Sequence, residues 1–220
     1  MRLSTFWISA AWLAATLVGH GTAAMAAAET GRPPLGTVEV PEAADALARR
    51  VLAQGDHDGR PFAIVDKQAA MLMIYRGDGR LLGATAALLG LNPGDQAVPG
   101  VGARNQQGRL RNGDRTTTAG RFVSEPGRNR SGESVVWIDY PSALAIHRLR
   151  PGPSHERRAQ RLASPNVQER RISAGCVVVP VAFFETVVEP ALGHKRGVVY
   201  VMAEDGAAPE GTRLTAEHTF

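Results

Sequence analysis

The single cysteine of the chain, Cys176, carries the most reactive side chain in the sequence. A thiol nucleophile needs a base to take its proton, a group that orients the base, and donors for the oxyanion that forms on attack. A lone thiol can instead be a small buried apolar residue or can pair with another chain. Its singleness leaves these three roles open, so the neighbouring residues have to distinguish them.

Among the six histidines, His147 is the best candidate for the base. It follows the apolar strand pattern that starts at Leu144, so a rigid element would hold its ring beside another strand. A histidine in that position can also be purely structural. The other five lie in the N-terminal leader, in polar turn-rich surroundings or in an arginine-rich segment: His20, His57, His155, His194 and His218.

The residues around Cys176 suit a nucleophile. Gly175 lets the backbone turn or approach closely without a Cβ, and the β-branched run that follows predicts a stiff strand. A thiol held beside an imidazole can form a thiolate–imidazolium pair near neutral pH. These features favour reactivity for Cys176.

Four segments together resemble the L,D-transpeptidase family. Residues 173–176 are similar to its S/T-H-G-C signature, and residues 145–147 resemble the strand that carries its catalytic histidine. Residues 115–122 are similar to its T-P-x-G-x-F segment, and residues 62–90 to its opening hairpin. The resemblance covers roughly residues 61–203.

This resemblance implies a mainly β fold, an L,D-transpeptidase-like β sandwich with a few short helices. It implies an acyltransferase that needs no cofactor or metal and acts on peptidoglycan stem peptides containing diaminopimelate. The Cys176 thiol would attack after the third residue of a tetrapeptide stem, the terminal D-alanine would leave, and an amine would resolve the thioester. His147 would be the general base, oriented by the Arg148 carbonyl, while Ser173, Gly175 and the Cys176 amide would support the oxyanion hole.

The chain departs from the family pattern in three places. Ala174 stands where the signature has a second histidine. Val178 stands where many relatives carry a polar residue that contacts substrate. His147 and Cys176 are 29 positions apart, which is wider than the family spacing and implies an insertion between them.

The inserted segment is rich in arginine, with Glu156 and Glu169 as its acidic residues. It is either a solvated loop with a short helix near residues 155–162, or a lid whose guanidinium groups bind the carboxylates of stem peptides. In the second case Arg157, Arg158 and Arg171 are candidate substrate-binding residues. Nucleic acid is not expected as a partner, because the arginines lack interleaved aromatic residues. The segment contains Arg148, Arg150, Arg157, Arg158, Arg161, Arg170 and Arg171.

Trp137 and Tyr140 precede His147 and are further candidates for substrate contact. Strand alternation places Trp137 on the same face as His147 and Tyr140 on the opposite face. Packing in the core and at its rim is the simpler interpretation of both aromatic side chains. The sequence has no H-E-x-x-H pattern of the kind that binds zinc, and we expect no metal site.

The N-terminus resembles a secretory signal. Arg2 precedes a short apolar run, and small residues follow up to Ala28. We therefore expect residues 1–28 to be removed on export to the periplasm or cell envelope, and no later segment is apolar for long enough to span a membrane stably.

The remaining chain is expected to form one domain with short extensions. Residues 29–60 predict a linker and an amphipathic helix at 41–54, residues 61–205 the catalytic domain, and residues 206–220 an irregular tail. The domain is expected to be antiparallel. Its strands are predicted at 62–65, 70–75, 81–88, 121–123, 134–140, 144–149, 176–179 and 197–203, with a helix at 180–192.

Three functions stay open at this level. The Cys176 thioester is resolved by an amine in a transpeptidase and by water in a carboxypeptidase or endopeptidase. A third possibility is an inactive cell-wall-binding module that kept the fold, which Ala174 and Val178 motivate.

Overall fold

A computed structural model of the protein describes residues 39–209, 211 and 212. The predicted signal segment 1–28, the start of the predicted linker and the tail beyond residue 212 lie outside the described residues. The catalytic-domain prediction for residues 61–205 falls entirely within them.

The described residues form ten strands and a few short helices. The α-helices are α1 (Glu42–Gln54), α2 (Val101–Gln106), α3 (Arg158–Ala163), α4 (Val181–Phe183) and α5 (Glu189–Leu192). The strands are β1 (Phe62–Asp66), β2 (Met71–Tyr75), β3 (Leu81–Ala86), β4 (Leu89–Gly90), β5 (Gly120–Arg128), β6 (Ser134–Asp139), β7 (Leu144–Arg148), β8 (Arg171–Ser173), β9 (Val177–Val179) and β10 (Gly197–Val201).

Eight of these strands form one sheet in the order β3-β2-β1-β10-β5-β6-β7-β9. The expectation of antiparallel β structure is wrong at three pairings, because β1 runs parallel to β10 and β7 to β9 in this sheet, and β4 runs parallel to β8 outside it. The residue pattern of a strand repeats every two residues whichever way its partner runs, so the pattern does not carry this information. The fold is mainly β, with a large mixed sheet.

The sheet curves back almost to a barrel. Leu88, two residues after β3, forms backbone hydrogen bonds of 2.8 and 2.9 Å with Val178 of the opposite edge strand β9. The next residues form β4, which pairs with β8 in a separate two-stranded sheet. The segment between β3 and β4 therefore joins the two edges of the main sheet.

Alternating side chains divide the apolar residues between two clusters. Ala63 and Val65 of β1 point into the core enclosed by the curved sheet, whereas Phe62 and Ile64 point outwards and pack under α1. The helix predicted at 41–54 is confirmed as α1, which ends at Gly55 in the left-handed conformation. It contributes Ala44, Leu47, Ala48 and Val51 to the outer cluster.

The helix predicted at 180–192 is observed as α4, a π-helical turn (Phe184–Val188) and α5. Pro190 has no amide hydrogen with which to reach the Thr186 carbonyl, and the Glu189 amide bonds Phe184, five residues back. Phe184, Val188 and Leu192 face the core inside the sheet. In the part of the chain that the structure describes, this and every other helix is too short or too polar to cross a bilayer.

Candidate active site

The pairing of β7 with β9 brings His147 and Cys176 onto the same face of the sheet. Ile146 lies opposite Val177 and both are buried in the inner core. Their neighbours therefore point to the outside. Cys176 directly precedes β9, so its thiol lies beside the strand that carries His147, and both residues line one cavity of about 460 Å³.

This cavity is bounded by four segments of the chain: the α2 helix, the β5–β6 hairpin, the turn before β7, and the β7–β9 edge. On the outer face of this half of the sheet, Leu162 of α3 packs against Val178 of β9, and the cavity lies beside this contact over β6 and β7. The lining residues are Asn105, Gln106, Arg128, Asn129, Arg130, Ser131, Val135, Trp137, Tyr140, Ala143, Ala145, His147, Arg150 and Cys176.

The ring of His147 is oriented by the backbone of the next residue. Its Nδ1 lies 2.8 Å from the carbonyl oxygen of Arg148. A carbonyl oxygen only accepts hydrogen bonds, so Nδ1 carries the proton and the neutral ring keeps Nε2 as a lone-pair acceptor. This is the tautomer that a general base needs if it takes a proton at Nε2.

The thiol of Cys176 lies between backbone groups of the segment that leads into β7. The sulfur is 3.5 Å from the Ala143 carbonyl oxygen, to which the thiol donates. Ala143 itself has a φ of 55°, a left-handed conformation that is uncommon for a residue with a Cβ. The thiol of the half-buried Cys176 therefore contacts the sharp bend of the chain at Ala143.

The electrostatics of the pair favour neutral side chains. Burial raises the pKa of the Cys176 thiol, although a hydrogen bond from Ala145 and the charge of Arg150 act in the opposite direction. Burial lowers the pKa of His147, although its hydrogen bond with Arg148 opposes the shift. A neutral thiol beside a neutral imidazole differs from the thiolate–imidazolium pair expected from the sequence, because burial disfavours both charged forms.

The turn that presents Cys176 depends on Ser173 and Gly175. The hydroxyl of Ser173 donates to the Cys176 carbonyl at 2.7 Å and accepts from the Gly175 amide at 3.1 Å. Gly175 has a φ of 124°, and a Cβ there would lie 2.7 Å from the Thr116 carbonyl oxygen. Only glycine fits this position without moving the backbone.

Thr117 braces the same turn and was not predicted as a site residue. Its buried hydroxyl donates to the Gly175 carbonyl at 2.7 Å and accepts from the Gly90 amide at 2.8 Å. Its carbonyl accepts a hydrogen bond of 3.2 Å from the fully buried ammonium group of Lys67. Residues 115–122 were recognised only through the family resemblance, and no pattern in the sequence pairs Thr117 with Gly175.

The predicted arginines are not the ones that line the cavity. Arg171 pairs with Glu204 at 2.6 Å, and the side chain of Arg148 reaches Glu133 at 3.3 Å, so these two guanidinium groups join segments of the fold. Arg157 and Arg158 line a separate groove beside α3, and Arg158 pairs there with Glu156. The cavity instead contains Arg128, Arg130 and Arg150.

Trp137 and Tyr140 both line the cavity, which corrects their predicted placement on opposite faces. Their rings meet edge to face, with centroids 5.0 Å apart. The pairing of β6 with β7 shifts register between Trp137 and Asp139, and β6 ends at Asp139, so strand alternation does not extend to Tyr140. The Trp137 indole lies against Gly127, where a Cβ would come within 2.5 Å of it.

The two departures from the family signature lie outside this cavity. Ala174 lines a separate small cleft together with Thr118. Val178 is buried against Leu88 and Leu162, the latter on α3 of the arginine-rich insertion. Neither side chain lines the cavity that contains Cys176.

Comparison of the sequence with protein-family models and with curated proteins gives no match. Among the described residues, His, Cys, Asp and Glu form no group of three or more that could hold a metal ion.

Proposed function

We propose that the protein is an exported cysteine acyltransferase of the L,D-transpeptidase type that acts on peptidoglycan stem peptides in the cell envelope. The observation that supports this proposal is that Cys176 and His147 lie on the same face of the sheet and line one cavity, with the His147 ring oriented through Nδ1. The mainly β architecture is compatible with an L,D-transpeptidase-like β sandwich, to which we assign the fold.

In the first half of the reaction, the Cys176 sulfur attacks the carbonyl carbon of the third residue of the donor stem. His147 takes the thiol proton at Nε2 as the C–S bond forms, which suits a pair whose neutral forms are favoured. The developing oxyanion is placed near the Cys176 amide at the braced turn. The C–N bond then breaks, His147 returns the proton to the amine of D-alanine, and a thioester remains.

In the second half, an amine attacks the thioester carbonyl. His147 takes a proton from the attacking amine, the C–S bond breaks, and the proton returns to sulfur, so that the enzyme is restored. Water can replace the amine, which gives hydrolysis of the stem. Because the two outcomes share the acyl-enzyme, they differ only in which nucleophile reaches the cavity.

The decisive experiment follows the acyl-enzyme and its products separately. The full chain is incubated with a diaminopimelate-containing tetrapeptide stem and a second stem as acceptor, and intact protein and products are analysed by mass spectrometry. We expect a tripeptide thioester on Cys176, release of one D-alanine per turnover, and a cross-linked product. Cys176→Ala should form none of these.

The alternatives give different products. Shortened stems without cross-links would assign a carboxypeptidase or endopeptidase. A folded chain that forms no acyl-enzyme, and whose Cys176 reacts with neither a carbapenem nor a small thiol probe, would support the inactive wall-binding module. Export is tested independently by determining the N-terminus of the protein recovered from the periplasm, where cleavage after about residue 28 is expected.

A further inference from the structure

All the charged residues that line the cavity are arginines. Arg128 and Arg130 come from the end of β5 and the turn that follows it, and Arg150 lies two residues after β7. No carboxylate lines this cavity in the described part of the chain. A site with this composition favours a ligand that carries negative charge close to the reacting thiol.

The three arginines are not equally available. Arg150 pairs with Glu133 at 2.9 Å, and Glu133 also contacts Arg148 at 3.3 Å. Arg128 and Arg130 instead each direct one nitrogen to a backbone carbonyl, at Gly132 and Gln106 respectively, both at 2.6 Å. A guanidinium has five N–H donors, so these two side chains keep their full charge and most of their donors.

The loop that carries Arg130 is held in shape by its own hydrogen bonds. The Oδ1 atom of Asn129 accepts from the amides of Ser131 and Glu133 at 2.9 and 3.0 Å, and its Nδ2 donates to the Glu133 carboxylate at 2.7 Å. The contact from Arg130 to Gln106 then connects this loop to α2 on another wall of the cavity. The arginines are therefore presented by an ordered rim, which limits the entropy lost when a ligand binds.

We propose that Arg128 and Arg130 select donor peptides with free side-chain carboxylates over the same peptides with carboxamides. The inference rests on the proposed function for the identity of the ligand as a stem peptide. Bidentate pairing of a guanidinium requires two carboxylate oxygens, and an amide offers one acceptor and no charge. In a diaminopimelate-containing tetrapeptide stem, the carboxylate of D-alanine is nearer the scissile bond but leaves with that residue, whereas the free side-chain carboxylate of the third residue stays on the acyl-enzyme.

Binding of stem peptides to the full-length Cys176→Ala variant tests this selection without requiring turnover. Two tetrapeptide stems that differ only in a carboxylate or a carboxamide on the diaminopimelate side chain are titrated by calorimetry at low salt. We expect the carboxylate stem to bind roughly ten-fold or more tightly, as for the loss of a charge-assisted hydrogen bond. Added salt should reduce this preference because exposed charges are screened.

Arg128→Gln and Arg130→Gln, alone and together, should reduce the preference towards equal affinity while the carboxamide stem binds as before. Arg80→Gln is the matched control, since Arg80 is an exposed arginine that does not line the cavity, and it should leave the preference intact. Equal affinity for the two stems, absence of binding of either, or a preference that survives in the double variant would overturn the proposal. Turnover by the native chain is measured separately, so a failure of the transpeptidase assignment can be distinguished from a failure of carboxylate selection by Arg128 and Arg130.

Discussion

The two halves of the main sheet use their outer faces differently. Outside β1, β2 and β10, α1 covers an apolar surface that includes Phe62, Met73 and Tyr200. Outside β6 and β7 lies the open cavity with His147 and Cys176, and outside β9 Val178 is covered by Leu162 of α3. The outward-facing residues of the covered half are large and apolar, whereas those of the other half include Ala145 and His147, so residue type and the covering helix together make one face a second core.

The two histidines on these halves illustrate the difference. The Nε2 atom of His57 lies 2.8 Å from the Gly77 carbonyl, and its ring packs 5.2 Å from that of Phe62. His147 bonds a carbonyl through Nδ1 and lines the cavity. A backbone carbonyl thus fixes the ring in both cases, but only His147 lines the cavity that also contains Cys176.

Replacing each of the two histidines should give the largest difference in effect between the two halves of the sheet. His147→Gln is expected to lower the rate of Cys176 acylation by about 10²–10⁴, which is the usual contribution of a positioned general base. His57→Gln should lower the melting temperature but leave the acylation rate of the folded protein close to that of the native chain. Single-turnover mass spectrometry and thermal unfolding check both outcomes. Equal losses of acylation rate in the two variants would contradict the assignment of catalysis to the half of the sheet that carries His147.

The covered half should dominate stability. Phe62 is fully buried, stacks on Tyr75 with ring centroids 4.7 Å apart, and meets the edge of Tyr200. Phe62→Ala is therefore expected to lower the free energy of unfolding by about 3–5 kcal/mol through lost burial and a cavity. Trp137→Ala, on the open face, should cost less because its ring is only half-buried. Urea titrations measure both, and a larger cost for Trp137→Ala would be the contrary result.

The Thr117 brace should couple stability to the site. Thr117→Val leaves the Gly175 carbonyl and the Gly90 amide without this partner, which is expected to cost about 1–3 kcal/mol and to slow acylation of Cys176. The matched control is Thr186→Val, which removes an exposed hydroxyl bond of the same 2.7 Å length. The control should change neither property measurably. If Thr117→Val loses stability while the acylation rate stays native, the brace does not position the nucleophile.

The neutral state of the pair also predicts how the reactivity of Cys176 changes with pH. Because burial raises the pKa of the Cys176 thiol, its thiolate fraction should still be rising at the ordinary thiol pKa of about 8.5. The rate of alkylation by iodoacetamide should then increase up to about ten-fold per pH unit from pH 6 to beyond pH 8.5. A preformed ion pair would give a plateau across this range instead, and a plateau would contradict the neutral pair.

Local patterns predicted much of the secondary structure. The helical spacing of apolar residues identified α1, and Gly55 marked its end. The runs of apolar residues placed β1, β2, β6, β7 and β10 to within two residues at either end. The two-residue strand β4 directly follows the apolar run of the predicted strand 81–88 and was not recognised as a separate strand. The strand β8 and the helix α2 were missed, since they lie in polar segments whose conformation is set by contacts with distant parts of the chain rather than by their own periodicity.

The candidate site was predictable only in part. Cys176, His147, Ser173 and Gly175 carry local signals, namely a lone thiol, the end of a strand pattern, and a turn. Arg157, Arg158 and Arg171 were favoured because they cluster in sequence, yet pairing of β5, β6 and β7 brings Arg128, Arg130 and Arg150 to the cavity instead. Strand alternation predicted the wrong face for Tyr140, because a register shift arises between two paired strands and cannot be read from one strand alone.

The sequence by itself determined the strand-rich character of the protein and the residues capable of nucleophilic chemistry, because periodicity and side-chain reactivity are local properties. Only the tertiary structure decided which residues meet. The parallel pairing of β7 with β9 put His147 and Cys176 on the same face of the sheet, and the Thr117 hydroxyl braced the turn before Cys176 from 58 residues away. Such contacts depend on strand order, register and direction, which no single segment of the chain specifies.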